Sequence, residues 1–281
     1  MPSHTPLFRA EHSDRYERQE LICEYQELTG ADLIVVIDQI TPTNMTVLEE
    51  LLFDCDRAKD LHLLLSSPGG DGEIALRMVR SLQQRCRELT VIVPDMAKSA
   101  ATIVCLGAHH ILMGPGGDLG PIDPQMVFSG GDGMRTVVSA KEIVAAVAEA
   151  EERIKVNPDS FPLFASLLSD VNMLMVEQAK AALSRSEALM EEALRAQGRK
   201  EEQVRALATK LKEPLIDAPS SHSAVISVDH AVDYGLPAEQ ADATSEQWQL
   251  VWALWTRYFA MGCWPAGQCA IYEGARASHA G

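Results

Sequence analysis

Three apolar runs, each followed by a turn and a helical pattern, constrain the fold of this chain most. Residues 31–40 (ADLIVVIDQI), 61–67 (LHLLLSS) and 89–95 (LTVIVPD) are β-branched or leucine-rich over most of their length. Such near-continuous apolar runs are typical of strands buried on both faces. The segments between them carry apolar residues at helical spacing. This order predicts an α/β fold whose parallel strands are joined by right-handed crossovers.

The rest of the chain is predicted to be mainly helical. A helix over 97–108 and a fourth strand, HHILMGP, continue the β/α order, and a charged helix over 11–29 precedes it. The glycine-rich segment FSGGDGMRTV (128–137) predicts a mobile loop or hairpin. Three further helices, broken first at Pro158 and Pro162, are predicted over 139–156, 163–185 and 187–211. VISVDHAVDYGL (225–236) predicts a short strand and a helical turn.

These elements divide the 281 residues into three regions. Residues 1–30 form a helical lead-in, and residues 31–240 form the main domain, with 139–211 as a helical insertion. Residues 241–281 begin with an aromatic amphipathic helix, QWQLVWALWTRYFAMGCW (247–264), whose stripe suits core packing or a subunit contact. The tail after this helix is expected to be disordered.

Composition excludes several classes of function. The formal net charge of −16 argues against sequence-independent nucleic-acid binding, which requires a basic face. No run of about 18 uncharged apolar residues is present, so no integral membrane segment is expected. The N-terminus has no secretory pattern. The chain is therefore predicted to be soluble and cytoplasmic.

The six cysteines show no metal-ligand spacing. They are scattered, without a CxxC pair, at Cys23, Cys55, Cys86, Cys105, Cys263 and Cys269. We expect reduced thiols and no bound metal, with structural disulfides as the alternative.

Two segments are placed where a nucleophile site requires them. Ser67-Pro68-Gly69-Gly70 follows the second predicted strand, and Met96-Ala97-Lys98-Ser99 follows the third. Ser99 would stand at a helix N-terminus, where free amides and the helix dipole favour a developing anion. Acyl transfer needs such a nucleophile beside two amide donors. From the residues alone, a plain glycine turn and a serine N-cap explain the pattern as well.

A family resemblance favours the nucleophile. The segments LLLSSPGGDGEIALRMV and VPDMAKSAATIVCLGAHHILMGPGGDLGPIDPQ are similar to the superfamily of Clp peptidases, signal peptide peptidases and crotonases. Within it, the Lys-Ser-Ala core and LGPIDPQ resemble the serine dehydrogenase proteinase (SDH-type) family. The similarity extends more weakly to VDHAVDYGL. It implies a Clp/crotonase-like spiral of ββα units with a parallel sheet, plus C-terminal helical additions.

The resemblance also implies the chemistry. Ser99 would be the nucleophile of a cofactor-free serine peptidase, acting on protein or peptide through an acyl-enzyme. Gly70 and Ala100 would donate to the oxyanion, and Gly69 and Asp123 would belong to the substrate-binding surface. Members of this superfamily assemble as homo-oligomers, so a homo-oligomer is expected here.

The sequence offers three candidates for the general base that would accept the Ser99 proton. Clp-type peptidases carry a histidine in the segment that here contains Asp123, so their triad is not reproduced. Relatives of the signal-peptide-peptidase type use a lysine, which can act as a base once desolvation lowers its pKa. Lys141 is the first candidate and Lys98 the second, although Lys98 diverges from Ser99 by about 100° around a helix start. His222 is the third. Asp123 could orient a base or cap a turn.

Two other functions stay open from the sequence. An acyl-CoA-binding crotonase-type enzyme would use the same oxyanion donors without a serine. A catalytically inactive scaffold of the same fold would retain the oligomer and lose the chemistry.

Overall fold

The computed structural model describes residues 5–129, 135–219 and 221–281. The predicted apolar runs form strands in it. The strands are β1 (Asp32–Ile37), β2 (Leu61–Ser66), β3 (Leu89–Val93), β4 (Met96–Ala97), β5 (His110–Met113), β6 (Asp118–Leu119), β7 (Gln125–Ser129), β8 (Arg135–Ser139), β9 (Ala238–Gln240), β10 (Ile271–Gly274) and β11 (Ser278–Ala280).

Helices account for most of the remaining described residues. They are α1 (Pro6–Glu11), α2 (Ser13–Thr29), α3 (Asn44–Leu52), α4 (Gly72–Gln83), α5 (Ala100–Leu106), α6 (Ala140–Val156), α7 (Phe161–Leu167), α8 (Met173–Ala196), α9 (Glu201–Lys212), α10 (Val228–Asp233) and α11 (Glu246–Ala260). A 3-10 turn (Pro158–Ser160) precedes α7, and a π-helical turn (Glu213–Asp217) follows α9.

A seven-stranded sheet in the order β11-β10-β1-β2-β3-β5-β9 forms the centre. Strands β1, β2, β3, β5 and β9 are parallel, as the strand–helix order predicted. Their carboxyl ends therefore lie along one edge, which is where ligands of such sheets bind. The SPGG turn follows β2 and the AKSAA segment follows β3, and these two strands are neighbours.

Both faces of the sheet are covered, which explains why the strand sequences are apolar without alternation. Side chains such as Ile34 and Leu63 pack beneath α3, α4, α5, α8 and α9. Side chains such as Val35 and Leu64 pack beneath α2 and α11. Trp248 and Trp255 of the aromatic stripe are buried in this second layer, whereas Trp252 and Phe259 are about half exposed.

The helical insertion differs in its boundaries from the sequence prediction. Helix α7 ends at Leu167, and Asn172 then caps α8 by accepting a hydrogen bond from the Met175 amide. The predicted division near residue 186 does not occur, because α8 continues to Ala196. A hairpin of β7 and β8 precedes the insertion and forms the two ends of the glycine-rich segment. The middle of that segment, 130–134, lies outside the described residues.

The disordered tail predicted after residue 264 is wrong. β10 pairs antiparallel with β1, and β11 pairs with β10, so the tail extends the central sheet. Glu273 of β10 is fully buried and accepts hydrogen bonds from Arg18 Nε at 2.7 Å and from the Tyr258 hydroxyl at 2.8 Å. This contact joins the two ends of the chain through α2, α11 and the sheet.

In the described ranges, no helix combines enough length with enough apolar character to cross a membrane.

Candidate active site

Two turns at the carboxyl edge of the sheet are held together by backbone hydrogen bonds. The Ser67 amide donates to the Met96 carbonyl at 3.1 Å, and the Lys98 amide donates to the Ser67 carbonyl at 3.0 Å. The Ile40 amide donates to the Gly69 carbonyl at 2.8 Å. The SPGG turn is thereby fixed against the segment that carries Ser99.

Ser99 has a backbone conformation that L-residues rarely adopt. It is the N-cap of α5, with φ 53° and ψ −116°, and it is the one non-glycine residue with a positive φ in the described ranges. Such a conformation costs about 1–3 kcal/mol, and such costs cluster at functional sites. The Ser99 hydroxyl makes no hydrogen bond to the helix it caps. The plain N-cap interpretation therefore fails for this serine.

The amides predicted to bind an oxyanion are available. Within residues 5–129, 135–219 and 221–281, neither the Gly70 nor the Ala100 N–H donates a hydrogen bond to a protein group. Both residues line the same cavity as Ser99. Unpaired amides are rare in protein interiors, so two that line one cavity with a serine hydroxyl indicate a place for a ligand oxygen.

Only glycine fits at position 70. Its φ is 143°, and a Cβ built there would lie 2.1 Å from the carbonyl oxygen of Ile40. A side chain would push the turn away from β1 and withdraw the Gly70 amide from the cavity. The glycine is therefore a geometric requirement of the candidate oxyanion site.

The cavity beside Ser99 has a volume of about 430 Å³. Its walls come from the two turns, from residues 122–125, from α8 and from the loop that contains His222. The residues that line it include Gly70, Ser99, Ala100, Asp123, Leu189 and His222. The cavity is large enough for a side chain or short segment of a substrate.

Asp123 and His222 meet in this cavity. His222 Nδ1 lies 2.7 Å from Asp123 Oδ1, and Gln125 Nε2 donates to Asp123 Oδ2 at 2.9 Å. Burial alone would raise the pKa of Asp123, but the hydrogen bond with His222, the contact with Ser139 and, to a smaller extent, the charges of His222 and Lys141 outweigh it and lower that pKa. Asp123 is thus an anion that orients the His222 ring.

Lys141 lies near the same carboxylate. It is half-buried at the start of α6, and its ammonium donates to the carbonyls of Pro219 and, at 3.5 Å, Ile216. No carboxylate forms an ion pair with Lys141 among the described residues. Its charge makes a small contribution to the lowered pKa of Asp123, and Lys141 does not line the cavity.

Lys98 has a different environment. Its ammonium forms an ion pair with Asp118 and donates to the Leu119 carbonyl at 3.1 Å. These contacts direct the ammonium to β6, so Lys98 is the weaker candidate for the base. The hydrogen bonds tie Lys98 to β6 and hold the segment that precedes Ser99.

The contacts that α8 makes at the site could not be located from the sequence. Leu189 lines the cavity, and Arg185 Nε and Nη2 donate to the Glu73 carboxylate at 2.5 and 2.7 Å. These contacts join α8 to the first turn of α4, just after the SPGG turn. The apolar spacing of α8 predicted a buried face, but it could not show which surface that face covers.

A family comparison adds to this geometry. The model of the ClpP-like SDH-type serine proteinases matches residues 45–156. The resemblance predicted from the sequence is confirmed. The SDH-type segment contains Gly70, Ser99, Ala100, Asp123 and Lys141, whereas His222 lies outside it.

Curated relatives match over shorter stretches. Two uncharacterized proteins of Methanocaldococcus jannaschii are similar, one with 32% identity over 101 residues and the other with 30% over 66 residues. The matches cover 36% and 24% of this chain, and 35% and 23% of the relatives. The chain therefore matches about a third or less of the length of these relatives.

Two solved structures of one protease also match in outline. A serine-to-alanine mutant of 1510-N, a membrane-bound stomatin-specific protease, has a TM-score of 0.47 and 17% identity, over 78% of this chain and 81% of that one. A lysine-to-alanine mutant of the protease, in complex with a substrate peptide, has a TM-score of 0.44 and 18% identity, over 75% and 76%.

Proposed function

We propose that this protein is a serine peptidase that forms an acyl-enzyme at Ser99. The strongest support is that several features of a nucleophile site occur together at Ser99. Ser99 has a positive φ and a hydroxyl that does not cap its helix, and the unpaired Gly70 and Ala100 amides share its cavity. The match of residues 45–156 to SDH-type serine proteinases supports the same chemistry.

The proposed reaction has two stages. Ser99 Oγ attacks the carbonyl carbon of the scissile peptide bond while its proton passes to a base. The oxyanion that forms accepts hydrogen bonds from the Gly70 and Ala100 amides, which lowers the barrier. The C–N bond then breaks and the amine leaves with the proton. In the second stage, a water molecule gives a proton to the base and attacks the acyl carbon, which forms a second tetrahedral intermediate. Its collapse breaks the bond to Ser99 Oγ, returns the proton to that oxygen and releases the carboxylic acid.

Lys141 is our first candidate for the base. It lies inside the SDH-type segment, together with Ser99 and both oxyanion donors. Its described partners are the neutral carbonyls of Pro219 and Ile216, whereas Lys98 is paired with Asp118. No ion pair among the described residues has to break before the amine of Lys141 can turn towards Ser99.

His222 is the second candidate, and one observation favours it. It lines the cavity with Ser99, and the buried Asp123 holds its Nδ1 at 2.7 Å. This leaves Nε2 as the nitrogen that can accept a proton, which is the arrangement of a serine–histidine–aspartate triad. Asp123 would then be a positioning residue, and Lys141 would act through its charge on Asp123.

The cavity also supports a proposal about the substrate. Ile103, Ile122 and Leu189 contribute apolar surface beside Ser99. We therefore propose a peptide or protein substrate with an apolar side chain next to the cleaved bond. Assembly as a homo-oligomer remains a proposal, based on the family resemblance.

The test is cleavage of a peptide library by the purified full chain, its Ser99→Ala variant and a Ser186→Ala variant. Ser186 also lines the cavity but lies on α8, so it is a matched control. We expect Ser99→Ala to reduce hydrolysis by at least about 10³-fold and Ser186→Ala to change it little. Equal hydrolysis by wild type and Ser99→Ala would contradict the proposal. Saturable CoA binding without peptide cleavage would favour the crotonase-type alternative.

A further inference from the structure

Two cysteines near the C-terminus are backbone partners. Cys263 follows α11 and Cys269 precedes β10, and the two residues form an isolated parallel β-bridge. Partners on neighbouring extended segments lie about 4.8 Å apart. Disulfides span Cα separations of about 4.4–6.8 Å, so this backbone arrangement fits a cystine without rearrangement.

The two thiols lie close enough to interact electrostatically, and both cysteines are free. The Cys269 thiol donates to the Ala270 carbonyl at 3.6 Å. Cys263 is fully buried, whereas Cys269 is partly exposed. One thiol of the pair is thus accessible to a reagent in solution, and the other can resolve the product.

The loop between them is held in shape by its own backbone. The Ala266 and Gly267 amides donate to the Cys263 carbonyl at 2.9 and 3.3 Å. The Cys269 amide donates to the Gly262 carbonyl at 3.1 Å. These bonds fix the backbone positions of both cysteines, so little backbone entropy has to be lost when the sulfurs join.

We propose that Cys263 and Cys269 are a redox site that small disulfides such as oxidised glutathione convert to an intrachain cystine. Cys269 loses its proton and attacks one glutathione sulfur. A mixed disulfide forms at Cys269, and one glutathione thiol leaves. Cys263 loses its proton and attacks Cys269 Sγ, which forms the cystine and releases the second glutathione. The protein loses two electrons and two protons, which the oxidised glutathione gains.

The order of attack follows from the environment. Burial, together with the neighbouring Cys269 thiol, raises the pKa of Cys263 to about 12. Since the thiolate is the nucleophile, Cys263 reacts poorly with reagents in solution. The partly exposed Cys269 therefore reacts first, and the backbone pairing of the two residues allows the second step.

The cystine would fix a loop that contacts the candidate active site. Trp264, the first residue of the loop, donates from Nε1 to Met96 Sδ at 3.1 Å. Met96 belongs to β4 and lies three residues before Ser99, and its carbonyl accepts from the Ser67 amide. The pair is therefore connected to both turns of the site through one side-chain contact.

Cys55 and Cys86 provide an internal comparison. They lie close enough to interact electrostatically, and each thiol donates to a carbonyl of the helix that precedes it, at 3.7 and 3.3 Å. Neither belongs to a β-bridge with the other. Their half-burial is similar to that of Cys269, so exposure alone would not distinguish them.

The test uses the reduced full chain, incubated with oxidised glutathione, then denatured, alkylated with iodoacetamide and digested with trypsin. Residues 258–276 form one tryptic peptide that contains both cysteines, because no Lys or Arg interrupts it. We expect this peptide to lack two hydrogen atoms and to take up no alkyl group. Peptides with Cys23, Cys55, Cys86 and Cys105 should be alkylated.

Two variants and a stability measurement complete the test. Cys263→Ser should retain glutathione on Cys269, and Cys269→Ser should leave Cys263 open to alkylation after denaturation. Oxidation should raise the unfolding temperature of the wild type and leave that of Cys269→Ser unchanged. A wild-type 258–276 peptide that is alkylated twice, or that keeps glutathione on Cys269, would overturn the proposal.

Discussion

Gly69 and Ser99 are in such close contact that position 69 has no room for a side chain. A Cβ built on Gly69 would lie 2.7 Å from Ser99 Cβ, 2.7 Å from the Lys98 carbonyl oxygen and 3.2 Å from the Ala100 nitrogen. The SPGG turn and the nucleophile segment therefore fit together only when this residue is glycine. The backbone of one turn sets the position of the hydroxyl and of the amide beside it.

Gly69→Ala should consequently impair Ser99 more than it impairs the fold. A shift of about 1 Å at a reacting group can cost roughly 100-fold in rate, so we expect a loss of that size in hydrolysis. Gly198→Ala is the control, because Gly198 also has a positive φ, of 76°, but has no atom within 4 Å of a built Cβ. In both variants, a side chain at a positive φ should lower the free energy of unfolding by about 1 kcal/mol. Equal hydrolysis by the two would contradict the geometric argument.

The base can be identified by comparing Lys141→Met with His222→Gln. If Lys141 accepts the Ser99 proton, Lys141→Met should lower kcat by about 10²–10⁴-fold while His222→Gln retains most activity. Lys180→Met, which removes only the exposed ion pair with Glu177, is the control. The reverse order of effects, with His222→Gln and Asp123→Asn both inactive, would replace the Ser–Lys dyad by a triad.

Much of the parallel sheet could be predicted because each strand can be recognised from its own residues. Buried parallel strands require apolar runs, and these are visible in residues 31–40, 61–67 and 89–95. The glycine turn and Ser99 were predictable for the same reason, since each follows a strand directly. Their contact required only that β2 and β3 be neighbours, which the order of elements favours.

The parts that were missed depend on contacts between distant residues. Asp123 and His222 are 99 residues apart, and no local pattern indicates that their side chains meet. The tail was predicted to be disordered because residues 265–281 are short of regular apolar spacing. β10 forms there because β1 offers an open edge and Arg18 provides a partner for the buried Glu273.

Arg185 should influence access to Ser99. Its guanidinium holds α8 to Glu73 of α4 and also pairs, at 2.8 Å, with Glu192 on α8 itself. These groups are partly exposed, so each ion pair contributes about 0–1 kcal/mol. Arg185→Met should therefore change global stability little and admit a bulky active-site probe up to about fivefold faster. High salt should also admit the probe faster in the wild type, because it screens the ion pairs.

Arg153→Met is the matched control for that effect. It removes an exposed ion pair with Glu149 on α6, at a distance of 2.7 Å. Probe access should not change in this variant. Identical access in all three proteins at every salt concentration would show that α8 does not restrict entry to the cavity.

The buried contact between the ends of the chain should dominate stability among the ion pairs. Glu273→Gln leaves Arg18 buried without its counter-charge, so we expect a loss of about 3–5 kcal/mol in the free energy of unfolding. Glu149→Gln, in the exposed pair on α6, should cost no more than about 1 kcal/mol. Urea unfolding followed by circular dichroism measures both. Similar losses for the two variants would contradict the structural account of the C-terminal strands.

The most direct test of the central claim is labelling of the purified full chain with a fluorophosphonate, with the modified residue mapped by mass spectrometry. The account predicts a single adduct on Ser99, absent in Ser99→Ala and retained in Ser186→Ala. It also predicts slower labelling when Lys141 is replaced by Met. A folded wild-type protein that takes up no label, or takes it up on another serine, would contradict the assignment of Ser99 as the nucleophile.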